Sequence, residues 1–158
     1  MEAFMTCGVI MTKDPLTARE DETVGEAAAR LIAHRYINLP VLDGAGAFRG
    51  MFGIYDIFSL VIPKVALAGG LLPNLRFMGD DAEELRKRFR DVAGRKIGEV
   101  ADRDVRAVHP DTPEVEALRL FCQQHSTLAV VERETRKLLG IVSYWDAVCA
   151  LTGMGKNC

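Results

Sequence analysis

The sequence predicts an α+β fold of two pseudo-symmetric units, each running strand, helix, strand, strand, helix after a short lead-in. Two observations predict it. The chain repeats its punctuation at an offset of 90 residues, with Gly8 on Gly98, Asp14 on Asp104, Glu26-Ala27 on Glu116-Ala117, Gly50 on Gly140 and Asp56 on Asp146. Within each copy, apolar residues alternate between helical spacing and short compact runs bounded by turn residues. Two copies of one supersecondary unit can bury a shared face against each other, and the seam between them is a natural place for a ligand.

The elements follow in order. The segment up to Met11 reads as a short helix, and Pro15 ends any helix there. Leu16-Thr17-Ala18 reads as a short strand. Asp21-Glu22-Thr23 is a helix start, after which Val24, Ala27, Ala28, Leu31 and Ile32 recur at helical spacing. That helix should end near His34-Arg35-Tyr36. Ile37 to Leu42 is an apolar strand whose Pro40 favours an edge or a strand start. Asp43-Gly44-Ala45-Gly46 is a hairpin turn, Phe48 to Ile54 the returning strand, and a helix begins near Gly53.

The second copy has the same order. Val105 to Val108 reads as a strand broken by Pro110, and Pro113 to Gln124 as a helix with proline in its first turn. Leu128 to Val131 and Leu138 to Val142 are strands around a turn at Glu132 to Arg136, and Ser143 to Leu151 is the last helix. The units are therefore 1–62 and 97–158, joined by an insertion over 63–96. Its part from Asp80 to Val92 reads as a helix with Glu83/Lys87 and Glu84/Arg88 pairs, either a solvated connector or a docking helix.

Composition narrows the function. The chain has 158 residues, 49% of them apolar, and a net charge of −2, which argues against a nucleic-acid binder. The opening Met1-Glu2-Ala3-Phe4 lacks the basic start of a signal peptide. The most apolar stretch, Ile57 to Leu72, is broken by Pro63, Lys64 and Gly69-Gly70, so no membrane span is expected. Cys7, Cys122, Cys149 and Cys158 form no C-x-x-C pair, so neither a zinc site nor a disulfide framework is expected. The simplest reading is a reduced, cytoplasmic protein.

The stretches Met11-Thr12-Lys13-Asp14-Pro15-Leu16-Thr17 and Asn38-Leu39-Pro40-Val41-Leu42-Asp43, with Gly50 to Asp56 and Gly140 to Asp146, carry a resemblance. The repeated unit resembles the CBS domain, and the pair looks like a Bateman module. The resemblance implies two units packed sheet to sheet, two symmetric clefts, and a homodimer. It implies adenosine ligands (AMP, ADP, ATP or S-adenosylmethionine) in those clefts, and a regulatory role toward a separate protein. No cofactor is required, and magnesium would enter only as companion to a polyphosphate.

The family's ligand motif is Gly-apolar-apolar-Ser/Thr-x-x-Asp. An ionised Asp can accept hydrogen bonds from both hydroxyls of a ribose, and a hydroxyl at a helix start can help hold a phosphate. The second unit has Ser143 and Asp146; the first keeps Asp56 but has Gly53 in place of the hydroxyl. Thr17 matches a position lining the family's base pocket, and its counterpart is Ala107. The strands at Ile37, Asn38, Leu39 and Pro40, and at Ser126 to Leu128 and Ala129, would flank an adenine. His34, Arg35 and His125 are candidate phosphate partners, with Arg106 and His109 behind them. Ser143-x-x-Asp146 is equally a capping box, and Gly53 an acceptable N-cap, so the same residues can serve merely to start a helix. No nucleophile–base constellation, metal cluster or paired carboxylates points to an enzyme. The competing class is a ligand-free dimerisation or interaction module.

Overall fold

The computed structural model describes residues 5–64 and 82–154. The lead-in is α1 (Cys7–Ile10) and β1 (Thr12–Lys13), and the first unit continues through β2 (Ala18–Arg19), α2 (Val24–His34), β3 (Asn38–Leu42), β4 (Phe48–Gly53) and α3 (Ile54–Val61). After α4 (Ala82–Val92), the second unit runs α5 (Ile97–Val100), α6 (Glu114–Gln124), β5 (Leu128–Val131), β6 (Leu138–Val142) and α7 (Tyr144–Thr152). Helix α2 starts with a capping box: Thr23 Oγ1 accepts from the Glu26 N–H, and the Glu26 carboxylate accepts from the Thr23 N–H.

Two three-stranded sheets form, ordered β2-β3-β4 and β1-β6-β5. Strand β1 belongs to the first lead-in yet pairs antiparallel with β6 of the second unit, Thr12 opposite Ile141 and Lys13 opposite Gly140. The reverse crossing is a bridge between Asp102, in the second lead-in, and Met51 on β4. The helical turns cross as well. The Cys7 N–H donates to the Thr112 carbonyl and the Gly8 N–H to Pro110, while Ile97 donates to Glu22 and Gly98 to Glu20. Each unit therefore buries the other's lead-in. Cys7, Ile10 and Met11 join the core of Val108, Leu120 and Val142, and Ile97 joins that of Val24, Leu31 and Phe52. A third cluster, Phe48, Met51, Ala129 and Val131, lies between the sheets and packs them face to face.

The close crossings account for the matched glycines. A Cβ on Gly50 would lie 2.3 Å from the Asp102 carbonyl oxygen, and one on Gly140 would lie 2.6 Å from that of Thr12.

Several local expectations change. Strand β3 is central, not an edge: it pairs with β2 through Val41 and Leu42 and with β4 along its whole length. Pro40 is tolerated because β2 is only two residues long and pairs beyond it. Val105 to Val108 makes no strand, only a bridge from Val108 to Val130. Pro113 is the N-cap of α6 rather than its first residue. The offset is 90 in β4 and β6 but 89 in the strands beside them, since Leu39 pairs with Phe52 and Leu128 with Val142. The first unit has one more residue before β3, and the second one more in its hairpin.

In the insertion helix, Glu84 pairs with Arg88 as expected, while Glu83 reaches Arg86 and Arg90. The capping residues expected there, Asp80 and Asp81, lie outside the described residues. Cys149 is disulfide-bonded, which departs from the expectation of a reduced protein; Cys7 and Cys122 are free. Among the described residues no helix is long and apolar enough to cross a membrane.

Candidate functional site

The chain leaves its second hairpin strand for a helix at the same place in each unit, and a carboxylate stands one turn inside each helix. In the second unit the Asp146 Oδ2 accepts from the Ser143 N–H and hydroxyl, both at 2.7 Å, while Ser143 Oγ accepts from the Asp146 N–H at 3.2 Å. In the first unit the Asp56 Oδ2 accepts from the Gly53 N–H at 2.7 Å, with no hydroxyl to share it. The capping function is thus present at both carboxylates, complete at Ser143 and half-built at Gly53.

Each carboxylate also lines a cleft whose other wall comes from the opposite unit. The Asp146 cleft, a cavity of about 210 Å³, is bounded by Ser143 and Trp145 on one side and by Thr12, Leu16, Arg35 and Asn38 on the other. The Thr12 hydroxyl donates to Asp146 Oδ1 at 3.2 Å. The Asp56 cleft, about 360 Å³, is bounded by Met51, Gly53 and Ile54 and, across it, by Asp102, Val105, His125 and Ser126. Burial pushes the Asp56 carboxyl up to about 6, the Gly53 N–H opposes that, and the nearby Asp102 carboxylate adds to it.

Arg35 and His125 enter these clefts by the same device. Each is the residue after a helix, α2 or α6, and each adopts the left-handed conformation, with φ 56° and 47°. That position usually takes glycine, because a side chain there costs about 1 kcal/mol. A bulky polar residue held there at both matched positions is strain located at a cleft.

Asn38 lines both clefts. Its Nδ2 donates to Ser126 Oγ at 2.8 Å, and its Oδ1 is buried with no hydrogen-bond partner among the described residues. A ligand N–H could satisfy that oxygen.

The structure therefore brings Asp146, Ser143, Arg35 and Asn38 to one cleft, and Asp56, Gly53, His125 and Asn38 to the other. It leaves other candidates outside. Leu39, Pro40, Leu128 and Ala129 are buried in the core, because their strands are covered on both faces. Ala107 packs against the cluster between the sheets. Thr17 is half-buried and lines neither cleft, and His34 is exposed, its ring 5.9 Å from that of Tyr36. His109 is tied to the Val131 carbonyl through Nδ1. Thr12 and Asp102 went unnoticed as site residues, although the offset matches them to each other. Gly53 is also explained: a Cβ there would lie 2.4 Å from the Ile37 carbonyl oxygen, in the loop that carries the extra residue.

The family model of the CBS domain matches residues 7–62 and 97–153. The chain belongs to the CBS-domain family. Among solved structures, it is similar to the CBS-pair protein CBSX2 from Arabidopsis thaliana, with a TM-score of 0.77 and 22% identity over 99% of this chain and 100% of that one. A crystal structure of CBSX2 in complex with AMP matches with a TM-score of 0.69 and 23% identity, covering 94% and 97%. The CBS domain pair of protein MJ0100, in complex with 5′-methylthioadenosine and S-adenosyl-L-methionine, matches with a TM-score of 0.66 and 22% identity, covering 96% and 99%. At these identities the likeness establishes the CBS-pair fold and nothing finer. No curated protein matches the chain.

Proposed function

We propose that this CBS pair is a regulatory, non-enzymatic ligand sensor that takes an adenosine ligand in the clefts between its repeats. The observation that carries the reading is the doubled junction: a carboxylate one turn into a helix, facing a cavity whose far wall belongs to the other repeat. An acceptor pair suits a ribose diol, helix N–H groups suit a phosphate, and the apolar walls suit a purine. That CBSX2 was crystallised with AMP, and the MJ0100 pair with 5′-methylthioadenosine and S-adenosyl-L-methionine, supports the ligand class. Because each cleft is walled by both repeats, a bound ligand favours whichever relative arrangement of repeats it contacts better, by its differential affinity for the two. The regulated protein would be separate, and the location cytoplasmic. The units of this reading are 1–62 and 97–158, with 63–96 between them.

The test is thermal unfolding with AMP, ADP, ATP and S-adenosylmethionine, in the protein and in Asp146→Ala. A ligand at 100 times its Kd stabilises by about 2.7 kcal/mol, roughly 5 to 10 °C here. A shift lost in the variant supports the reading; no shift with any ligand rejects it.

A second reading, a dimerisation module, is favoured by one observation. Tyr55 and Phe58 on α3 and their counterparts Trp145 and Val148 on α7 are large apolar residues left exposed, Trp145 by 78%. Such a matched pair of stripes fits a second copy of the chain, and a homodimer is compatible with ligand binding.

A further inference from the structure

The internal pseudo-symmetry makes each cleft a comparison for the other. Among the matched lining positions that differ, three change the same property. Where Thr12 presents a neutral hydroxyl to Asp146, its counterpart Asp102 presents a carboxylate to the Asp56 cleft. Where α2 ends on Arg35, α6 ends on His125 in the same left-handed conformation. Where Ser143 offers a hydroxyl at the start of α7, Gly53 offers none, and the Ile37 carbonyl leaves no room for one. Each difference removes a group that favours an anion, or adds one that opposes it, on the Asp56 side.

We propose that the two clefts take different chemical classes of adenosine ligand. The Asp146 cleft takes a 5′-phosphate, and the Asp56 cleft takes a phosphate-free adenosine derivative with a neutral or positively charged 5′ substituent. This rests on the adenosine-ligand reading above. In the Asp146 cleft one carboxylate is balanced by the Arg35 guanidinium, which can pair with a phosphate through two N–H groups. In the Asp56 cleft two carboxylates face a single imidazole. A phosphate brought there meets like charge in a partly desolvated cavity, where repulsion is stronger than in water. A sulfonium or uncharged thioether meets no such penalty. Burial pushes the Asp56 carboxyl up, and the Asp102 carboxylate adds to it as a smaller cause, in keeping with a cleft that disfavours further negative charge.

Isothermal titration with AMP, 5′-methylthioadenosine and S-adenosylmethionine tests the assignment. We expect one AMP site per chain, weakened at least tenfold in Asp146→Ala. We expect 5′-methylthioadenosine or S-adenosylmethionine still to bind protein saturated with AMP, and that binding to be lost in Asp56→Ala. Asp102→Thr copies the other cleft and should raise AMP stoichiometry from one to two. Asp102→Asn keeps the shape and removes only the charge; circular dichroism checks that both variants fold. Two equal AMP sites in the unaltered protein, AMP displacing the thioether from every site, or one AMP site persisting in both Asp102 variants would each overturn the assignment. If no adenosine compound binds at all, the adenosine reading falls, an outcome distinct from AMP filling both clefts.

Discussion

The Thr12 hydroxyl donates a 3.2 Å hydrogen bond to the Asp146 carboxylate across 134 positions of sequence. The residue that opens the first repeat thereby finishes the cleft of the second. With Ser143, it leaves Asp146 holding donors at both oxygens before any ligand arrives. Replacing Asp146 by Ala removes the ligand's acceptor and also the cap of α7. Affinity for AMP should fall at least tenfold, and stability by about 1 kcal/mol. Asp146→Asn separates the two effects, since its amide oxygen can still accept from the Ser143 N–H; titration and denaturant unfolding of both variants check this.

Asp56 gives the protein a pH dependence of definite sign. Its carboxyl sits at about 6 in the fold against an ordinary value of 3.8, so between these the folded state holds more protons than the unfolded one. Stability therefore falls as pH rises from about 4 to about 6 and stays lower above. Asp56→Asn should be more stable than the parent by about 1 to 2 kcal/mol at pH 7.5, allowing for solvent screening of a half-exposed group. The gap should close near pH 4. Asp102 and His125 share this cavity, so the difference between the two proteins, measured by urea unfolding across pH, isolates Asp56.

Arg35 sets stability against binding. Glycine at its left-handed position relieves backbone strain, so Arg35→Gly should raise stability by about 0.5 to 1 kcal/mol. The same change removes the cleft's guanidinium, and AMP affinity should drop several-fold. Paired melting and titration curves read both; a variant that is less stable and binds equally well would refute the positioning of Arg35.

The crossing strands leave no room at Gly140. A Cβ there meets the Thr12 carbonyl at 2.6 Å and the Met11 sulfur at 2.9 Å, so Gly140→Ala should cost about 2 kcal/mol, a Tm drop of roughly 4 to 8 °C. Gly50→Ala should behave alike. Gly44→Ala, where nothing lies within 4 Å, is the control and should melt as the parent does.

The exposed apolar pair on α7 predicts association. Light scattering after size exclusion should give a dimer for the protein and a monomer for Trp145→Asp with Val148→Asp, both substitutions lying at exposed positions.

The fold class and the helix ends were readable because they depend on local chemistry. Thr23, Ser143 and Asp43 act through groups within a few residues of themselves, and the offset exposed the doubling. What was hidden depends on long-range placement. Pro40 looks like an edge residue until β2 proves too short to reach it. Asp102 has no motif of its own and enters a cleft only because the lead-ins cross. Leu39 sits in a stretch that carries the resemblance and Leu128 is its counterpart, yet both face the core, because a strand's neighbours decide which of its faces is covered.

The exchanged lead-ins bear on how the chain melts and assembles. Cys7 closes against Thr112 and Ile97 against Glu22, and both closures seal cores otherwise built by the opposite half. Neither half can come apart without opening its companion, so heating should give one sharp transition with no half-folded plateau. These clasps bring together residues far apart along the chain, so they form late and slowly. Folding speed should be set by their docking rather than by the helices.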